Sequence, residues 1–164
     1  MWTEVIKVSW DSLFMSMVYL IAMKSKDVST HVGAVVVDDN HIVRSMGYNG
    51  LPRGINDNIS IRQERPEKYF WYEHAERNAI YNRTLPLDGC TMYTNGAPCS
   101  DCVRAIIQSG IKEVVIDKKW DNDTKWSESC DVGNVMFNEA NVRVRFWDGD
   151  ILSINKFRSG EVIK

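Results

Sequence analysis

Two short segments carry residue types that can hold a metal ion: His74-Ala75-Glu76 and Pro98-Cys99-Ser100-Asp101-Cys102. Cys99 and Cys102 are three residues apart, so on one turn of helix their side chains point the same way. Two thiolates at that spacing and one imidazole, from His74, supply three protein ligands to zinc. A catalytic zinc keeps a fourth position open for water, whereas a structural zinc is closed by four protein ligands. Glu76 follows His74 by two residues, which puts a carboxylate beside the metal without needing it as a ligand. Two thiolates make the ion a weaker Lewis acid than three imidazoles would, so activating a water there needs a base close by. Glu76 suits that role. Both segments read as helix openings, where exposed amides favour negative charge and lower a thiol's pKa.

Other readings of the same residues are weaker. A Cys-x-x-Cys after a strand also suits a thioredoxin-like redox pair, but the His-Ala-Glu partner favours zinc. A purely structural site, closed by Cys90, Cys130, His31 or His41, would leave Glu76 without a role. Those four residues lack a clustered spacing, and the simpler reading of each is a buried thiol or a surface imidazole.

The elements that must position these residues follow from periodicity. Phe14, Met17, Val18 and Ile21 recur at helical spacing, so Trp10 to Lys24 reads as an amphipathic helix capped by Ser9 or Asp11. Val32 to Val37 and His41 to Tyr48 read as a hairpin about Asp38-Asp39-Asn40. Three more short strands are expected at Cys90 to Thr94, Glu113 to Ile116 and Val142 to Phe146. Helical windows fall at Glu73 to Arg83, Cys99 to Ser109 and Asp131 to Asn138, with Gly110 placed as a C-cap glycine. The order predicts a three-layer α/β/α sandwich about a central, mainly parallel five-stranded sheet. Asn49 to Trp71 fits no period, and a connection that long is functional or hides a short helix.

Composition narrows the class. The chain has 164 residues, 44% hydrophobic and 26% charged, which argues against a disordered, collagen-like or membrane protein. The longest apolar stretch, Leu13 to Met23, falls short of the roughly 18 residues a span needs, and no secretion leader is expected. Lys and Arg total 20 against 22 for Asp and Glu, a net charge of −2 that disfavours a nucleic-acid partner. Four cysteines without a leader do not form a disulfide scaffold. No repeat or linker divides the chain. Residues 1–164 read as one domain, with a core over about 10–147 and a tail from 149 to 164. The tryptophans Trp2, Trp10, Trp71, Trp126 and Trp147 read as core or subunit-interface residues, and Lys118-Lys119 and Arg143/Arg145 as solvated faces.

His-x-Glu with a downstream Pro-Cys-x-x-Cys is the signature of zinc nucleobase deaminases, shared by riboflavin-pathway, tRNA-adenosine and nucleoside deaminases. Beyond it, the chain resembles the deoxycytidylate (dCMP) deaminases from about Trp10 to about Phe146. Ser25-Lys26-Asp27, then Thr30 and Val32-Gly33-Ala34-Val35, is similar to that family's first helix-to-strand junction. Gly47-Tyr48-Asn49-Gly50-Leu51-Pro52 is similar to its Gly-Tyr-Asn-Gly segment, and His74 to Ile80 and Ile106 to Val114 continue the match.

The resemblance implies a cytidine deaminase-like fold and hydrolytic conversion of dCMP to dUMP and ammonia, supplying dUMP for thymidylate synthesis. It implies one catalytic Zn2+ per subunit in a cytoplasmic homohexamer. It also implies activation by dCTP and inhibition by dTTP, with Mg2+ accompanying a triphosphate effector. In that scheme His74, Cys99 and Cys102 hold the metal. Glu76 takes a proton from water, delivers one to cytosine N3 and passes one to the leaving amine. Asn49 is the candidate for a sugar hydroxyl. Ser25 and Lys26 suit the 5′-phosphate, with Asp27 orienting Lys26, and Ala75 and Trp120 complete the substrate set. Gly47, Tyr48, Asn49, Gly50 and Arg53 form the effector set.

The chain departs from the pattern in two places within that span, and the tail from Gly149 onward has no counterpart in the family. Thr94-Asn95-Gly96-Ala97 replaces a Tyr-Val-Thr or Tyr-Val-Ala run and its apolar successor, and Trp120 stands where a tyrosine is usual. Arg53, Arg62 and Arg65 in the long loop read as solvated, with a phosphate contact as the sharper option. Two further functions stay open. One is deamination of deoxycytidine, dCTP or another cytosine-bearing molecule; the other is a non-catalytic nucleotide-binding regulatory module.

Overall fold

A computed structural model describes residues 7–120, 127–154, 156–158 and 161–163. The first helix, α1 (Trp10–Ala22), starts where Ser9 Oγ accepts the Ser12 amide at 3.0 Å, so Ser9 rather than Asp11 is the cap. Strands β1 (Gly33–Val37) and β2 (Val43–Tyr48) form the expected hairpin. Its turn is built by Asp38 Oδ1, which accepts the amides of Asn40 and Ile42 at 2.9 Å each. His41 sits in the left-handed region (φ 62°), so β2 begins later than the apolar run suggests.

The long connection contains a 3-10 turn at Ser60–Gln63 and the short helix α2 (Lys68–Trp71). Then come α3 (Ala75–Tyr81), β3 (Thr91–Thr94), α4 (Ser100–Gln108), β4 (Glu113–Asp117), α5 (Ser127–Glu139) and β5 (Arg143–Trp147). Gly110 follows the end of α4 at φ 78°, a conformation that favours glycine. The tail adds a two-stranded ribbon, β6 (Lys156–Arg158) and β7 (Glu161–Ile163), that no periodicity announces.

The sheet order is β2-β1-β3-β4-β5. Strand β1 is antiparallel to both its neighbours, while β3, β4 and β5 pair in parallel. Four strands therefore share one direction and β1 alone opposes them, which makes the pairing mixed. The hairpin forces this: β2 must return beside β1, and the crossover through α3 then places β3 on the far side of β1.

Alternation along β1 divides the core. Ala34 and Val36 pack with Ala79, Met92, Val103 and Ile106 beneath the helices α3, α4 and α5. Val35 and Val37 pack with Phe14, Val18, Val115 and Trp147 beneath α1. Every residue of β1 and β4 is buried, as expected for strands covered on both faces.

Among the tryptophans, Trp147 belongs to this core, while Trp10 is half-exposed and stacks on His41 at 4.3 Å. Trp71 donates its indole N–H to Glu67 at 2.7 Å, and Trp2 and Trp126 lie outside the described residues. Arg145 is not the solvated side chain that the alternation suggests. It binds Asp11 through two nitrogens at 2.8 and 2.9 Å and Glu113 at 2.9 Å, tying α1 to the sheet.

Candidate active site

Because β2 and β3 run the same way, the helices that follow them begin at the same edge of the sheet. His74 is the N-cap residue of α3 and Cys99 the N-cap residue of α4, both with extended backbone, and Cys102 lies in the first turn of α4. His74 Nδ1 is 3.5 Å from Cys99 Sγ and 3.4 Å from Cys102 Sγ. The three donor atoms all lie within 4.8 Å of one another, a group able to hold a metal ion.

The protonation of this group suits a cation. The Cys102 thiol, hydrogen-bonded to Cys99, lowers the Cys99 pKa to about 4 against the effect of burial, and His74 helps. Cys102 is pushed up by the same bond and by burial. The sulfurs thus share a proton that a bound dication would displace, leaving two thiolates and an imidazole. Glu76 is buried, and burial pushes its carboxyl up.

Glu73, outside the matched segments, and Arg77, within the His74 to Ile80 match but given no role there, brace the cluster. Glu73 Oε1 accepts the His74 amide at 3.0 Å and Arg77 Nε at 2.5 Å. Arg77 also lies 3.7 Å from Asp101, between the two cysteines, so one guanidinium spans both halves of the site.

The cluster opens into a cavity of about 370 Å3 whose wall includes Glu76, Ala75, Asn49, Asp27, Gly96 and Ala97. Asn49 is buried: its amide N–H groups go to Asp27 Oδ2 at 3.1 Å and Thr30 O at 3.0 Å, and its Oδ1 accepts the Val32 amide at 2.8 Å. One Oδ1 lone pair remains, so Asn49 can accept from a ligand hydroxyl but has no N–H left to donate.

Asp27 pairs with Lys68 rather than Lys26. Lys68 Nζ lies 2.6 and 2.5 Å from the two Asp27 oxygens and 2.7 Å from Ser29 Oγ. Burial raises the Asp27 pKa, but Lys68 and Ser29 outweigh it and leave the carboxyl below its ordinary value. Lys26 is exposed and pairs with Asp57. Ser25 is buried, its hydroxyl accepting the Asp27 amide, and neither Ser25 nor Lys26 belongs to the cavity wall.

The loop Thr94 to Ala97 does reach the cavity through Gly96 and Ala97. Asn95 is buried and braces the loop, accepting the Gly33 amide at 2.9 Å and donating to His31 O at 3.2 Å. Trp120 ends a 3-10 turn after β4, and its side chain lies outside the described residues.

Of the effector set, Asn49 alone lines this cavity. Gly47 is buried against α3, Tyr48 is partly exposed, Gly50 exchanges backbone hydrogen bonds with Glu73, and Arg53 bonds Asn82. Spacing could not reveal Lys68 in the cavity wall, whereas Arg65 was one of three arginines of the unassigned connection weighed for a phosphate contact.

Comparison with known proteins agrees with this geometry. Residues 8–118 match the cytidine and deoxycytidylate deaminase zinc-binding region, and the chain belongs to that family. It is 36% identical over 144 residues to deoxycytidylate deaminase of Homo sapiens, covering 83% of this chain and 78% of that one. It is 39% identical over 144 residues to an uncharacterized deaminase of the luxG 3′ region in Aliivibrio fischeri, covering 87% and 97% respectively. The apo structure of dCMP deaminase from the cyanophage S-TIM5 superposes with a TM-score of 0.67 at 25% identity, covering 87% of this chain and all of that one.

Proposed function

We propose that the chain deaminates dCMP hydrolytically to dUMP and ammonia. One observation carries the reading: Glu76, only 3% exposed and outside the three-donor cluster, lines the same cavity as the cluster residues His74 and Cys99. The similarity to deoxycytidylate deaminases supports dCMP as substrate.

His74, Cys99 and Cys102 would hold Zn2+, which supplies the Lewis acidity that makes water nucleophilic near neutral pH. Glu76 takes a proton from the attacking water and hands it to cytosine N3 as C4 becomes tetrahedral. It then takes the proton of the new C4 hydroxyl and passes it to the amine, which leaves as ammonia when the C4–N bond breaks. Burial suits it to this shuttling, because a carboxyl out of water releases and accepts protons closer to neutrality than an exposed one. Asn49 Oδ1 accepts a sugar hydroxyl, and the Ala75 and Ala97 segments enclose the base.

The proposal takes residues 1–164 as one deaminase domain acting in the cytoplasm as a homohexamer. Among the described residues no helix is long and apolar enough to cross a membrane. Control by dCTP and dTTP, with Mg2+ on the triphosphate, rests on the resemblance at Gly47 to Gly50.

Ammonia release from deoxycytidine, dCMP and dCTP, each with and without added dCTP or dTTP, tests the reading. Zinc-loaded protein should turn over dCMP best. A dCMP rate no better than that of deoxycytidine overturns dCMP as substrate, and no turnover of any of the three points to a regulatory module.

A further inference from the structure

We infer that Arg65 reads the 5′-phosphate of the substrate and so sets the preference for a nucleotide over a nucleoside, an inference that rests on the proposed deamination of dCMP. A nucleotide whose base lies at Glu76 must place a dianionic phosphate elsewhere in the cavity or at its mouth. Among the described residues, the lysines and arginines in the cavity wall are Arg65, just ahead of α2, and Lys68, the first residue of that helix.

The two differ in what already holds them. The Lys68 ammonium lies against both Asp27 oxygens and Ser29 Oγ, and its side chain is 9% exposed, so its charge is neutralised inside the protein. Arg65 is exposed and has no hydrogen bond or ion pair among the described residues. Its guanidinium is therefore a charge in the wall with no protein anion to give up before it binds a ligand.

The alternatives are occupied or displaced. Lys26 pairs with Asp57 outside the wall, with its side chain 70% exposed. Arg53 bonds Asn82, and Arg62 lies 3.9 Å over the Trp71 ring while donating to Asn56 O at 2.6 Å. Besides Glu76, where the base lies, the wall also holds the carboxylates of Asp27 and Asp131. Asp27 is matched by Lys68, whereas Asp131, on α5, repels an anion brought to its side. That asymmetry steers the phosphate toward the α2 segment. A guanidinium is well suited to receive it, because its planar fork donates two parallel N–H bonds to two phosphate oxygens.

Zinc-loaded Arg65→Ala, Arg65→Lys and Arg62→Ala can be compared with the parent protein for kcat/KM on dCMP and on deoxycytidine. Arg65→Ala should lower the dCMP-to-deoxycytidine ratio by roughly ten- to a hundred-fold, the usual weight of a charge-assisted hydrogen bond. Arg65→Lys should restore part of the ratio as a point charge, and Arg62→Ala should leave it as in the parent. Calorimetric titration of dUMP and deoxyuridine gives the same ratio without turnover. An unaltered ratio in Arg65→Ala, or an equal loss with both ligands, overturns the inference. Failure of the parent protein to prefer dCMP over deoxycytidine would overturn the functional reading itself, and that result appears before any variant is made.

Discussion

Glu76 has to accept and release protons beside a metal without ligating it, and its position two residues after His74 meets both demands. The Glu76→Gln substitution keeps the size and burial of the side chain while removing its basicity. It should retain one zinc per chain, measured by metal analysis, and lose turnover by roughly 10²–10⁴-fold or more; normal activity would remove Glu76 from the mechanism. At this scale the site was largely legible, because His74, Glu76, Cys99 and Cys102 lie in two segments of a few residues each. The partners of Asp27 were not legible. Lys26 is its neighbour in sequence, but Lys68, 41 positions along the chain, is its partner in space.

The site depends on α3 lying close against the sheet, and Gly47 permits that approach. A Cβ at position 47 would sit 2.3 Å from the Ala79 amide nitrogen and 2.5 Å from the Ala75 carbonyl oxygen, both backbone atoms of α3. Gly47→Ala should therefore push α3 away from β2 at a cost of about 1–3 kcal/mol. It should also weaken zinc binding, since His74 caps that helix. Thermal unfolding and chelator competition would read the two effects. A lower melting temperature with unchanged zinc affinity would separate the packing from the metal site. The helices and strands of the sandwich were readable from period and turn residues. The four-residue helix α2 was foreseen only as a short helix that the long connection could hide, without bounds, because so short a helix carries no hydrophobic period.

Across the whole molecule, the Asp27–Lys68 pair joins the connection after α1 to the segment before α3, so the cavity wall shares in global stability. Asp27 has a lowered folded pKa, so the pair contributes fully above the unfolded value of about 4 and is lost as pH falls through the folded value. Lys68→Met leaves a buried carboxylate unpaired and should cost about 3–5 kcal/mol at neutral pH. In the variant Asp27 takes up a proton more readily on acidification, which relieves the unpaired charge. The difference in melting temperature between parent and variant should therefore narrow toward pH 3. A constant difference across that range would mean that Lys68 acts through packing alone.

Local order determined much of this protein without the fold. A Cys-x-x-Cys spacing brings two thiols to one helical turn, a His-x-Glu spacing sets a base beside a ligand, and alternating elements imply a layered sheet. Tertiary structure decided which distant residues meet. It inserted β1 antiparallel between β2 and β3, aligned the starts of α3 and α4 at one edge, and turned Lys26 outward while Lys68 and Arg65 entered the wall. The reason is physical: spacing governs contacts within a turn or a strand, whereas pairing between remote charges depends on which segments the core packing brings together.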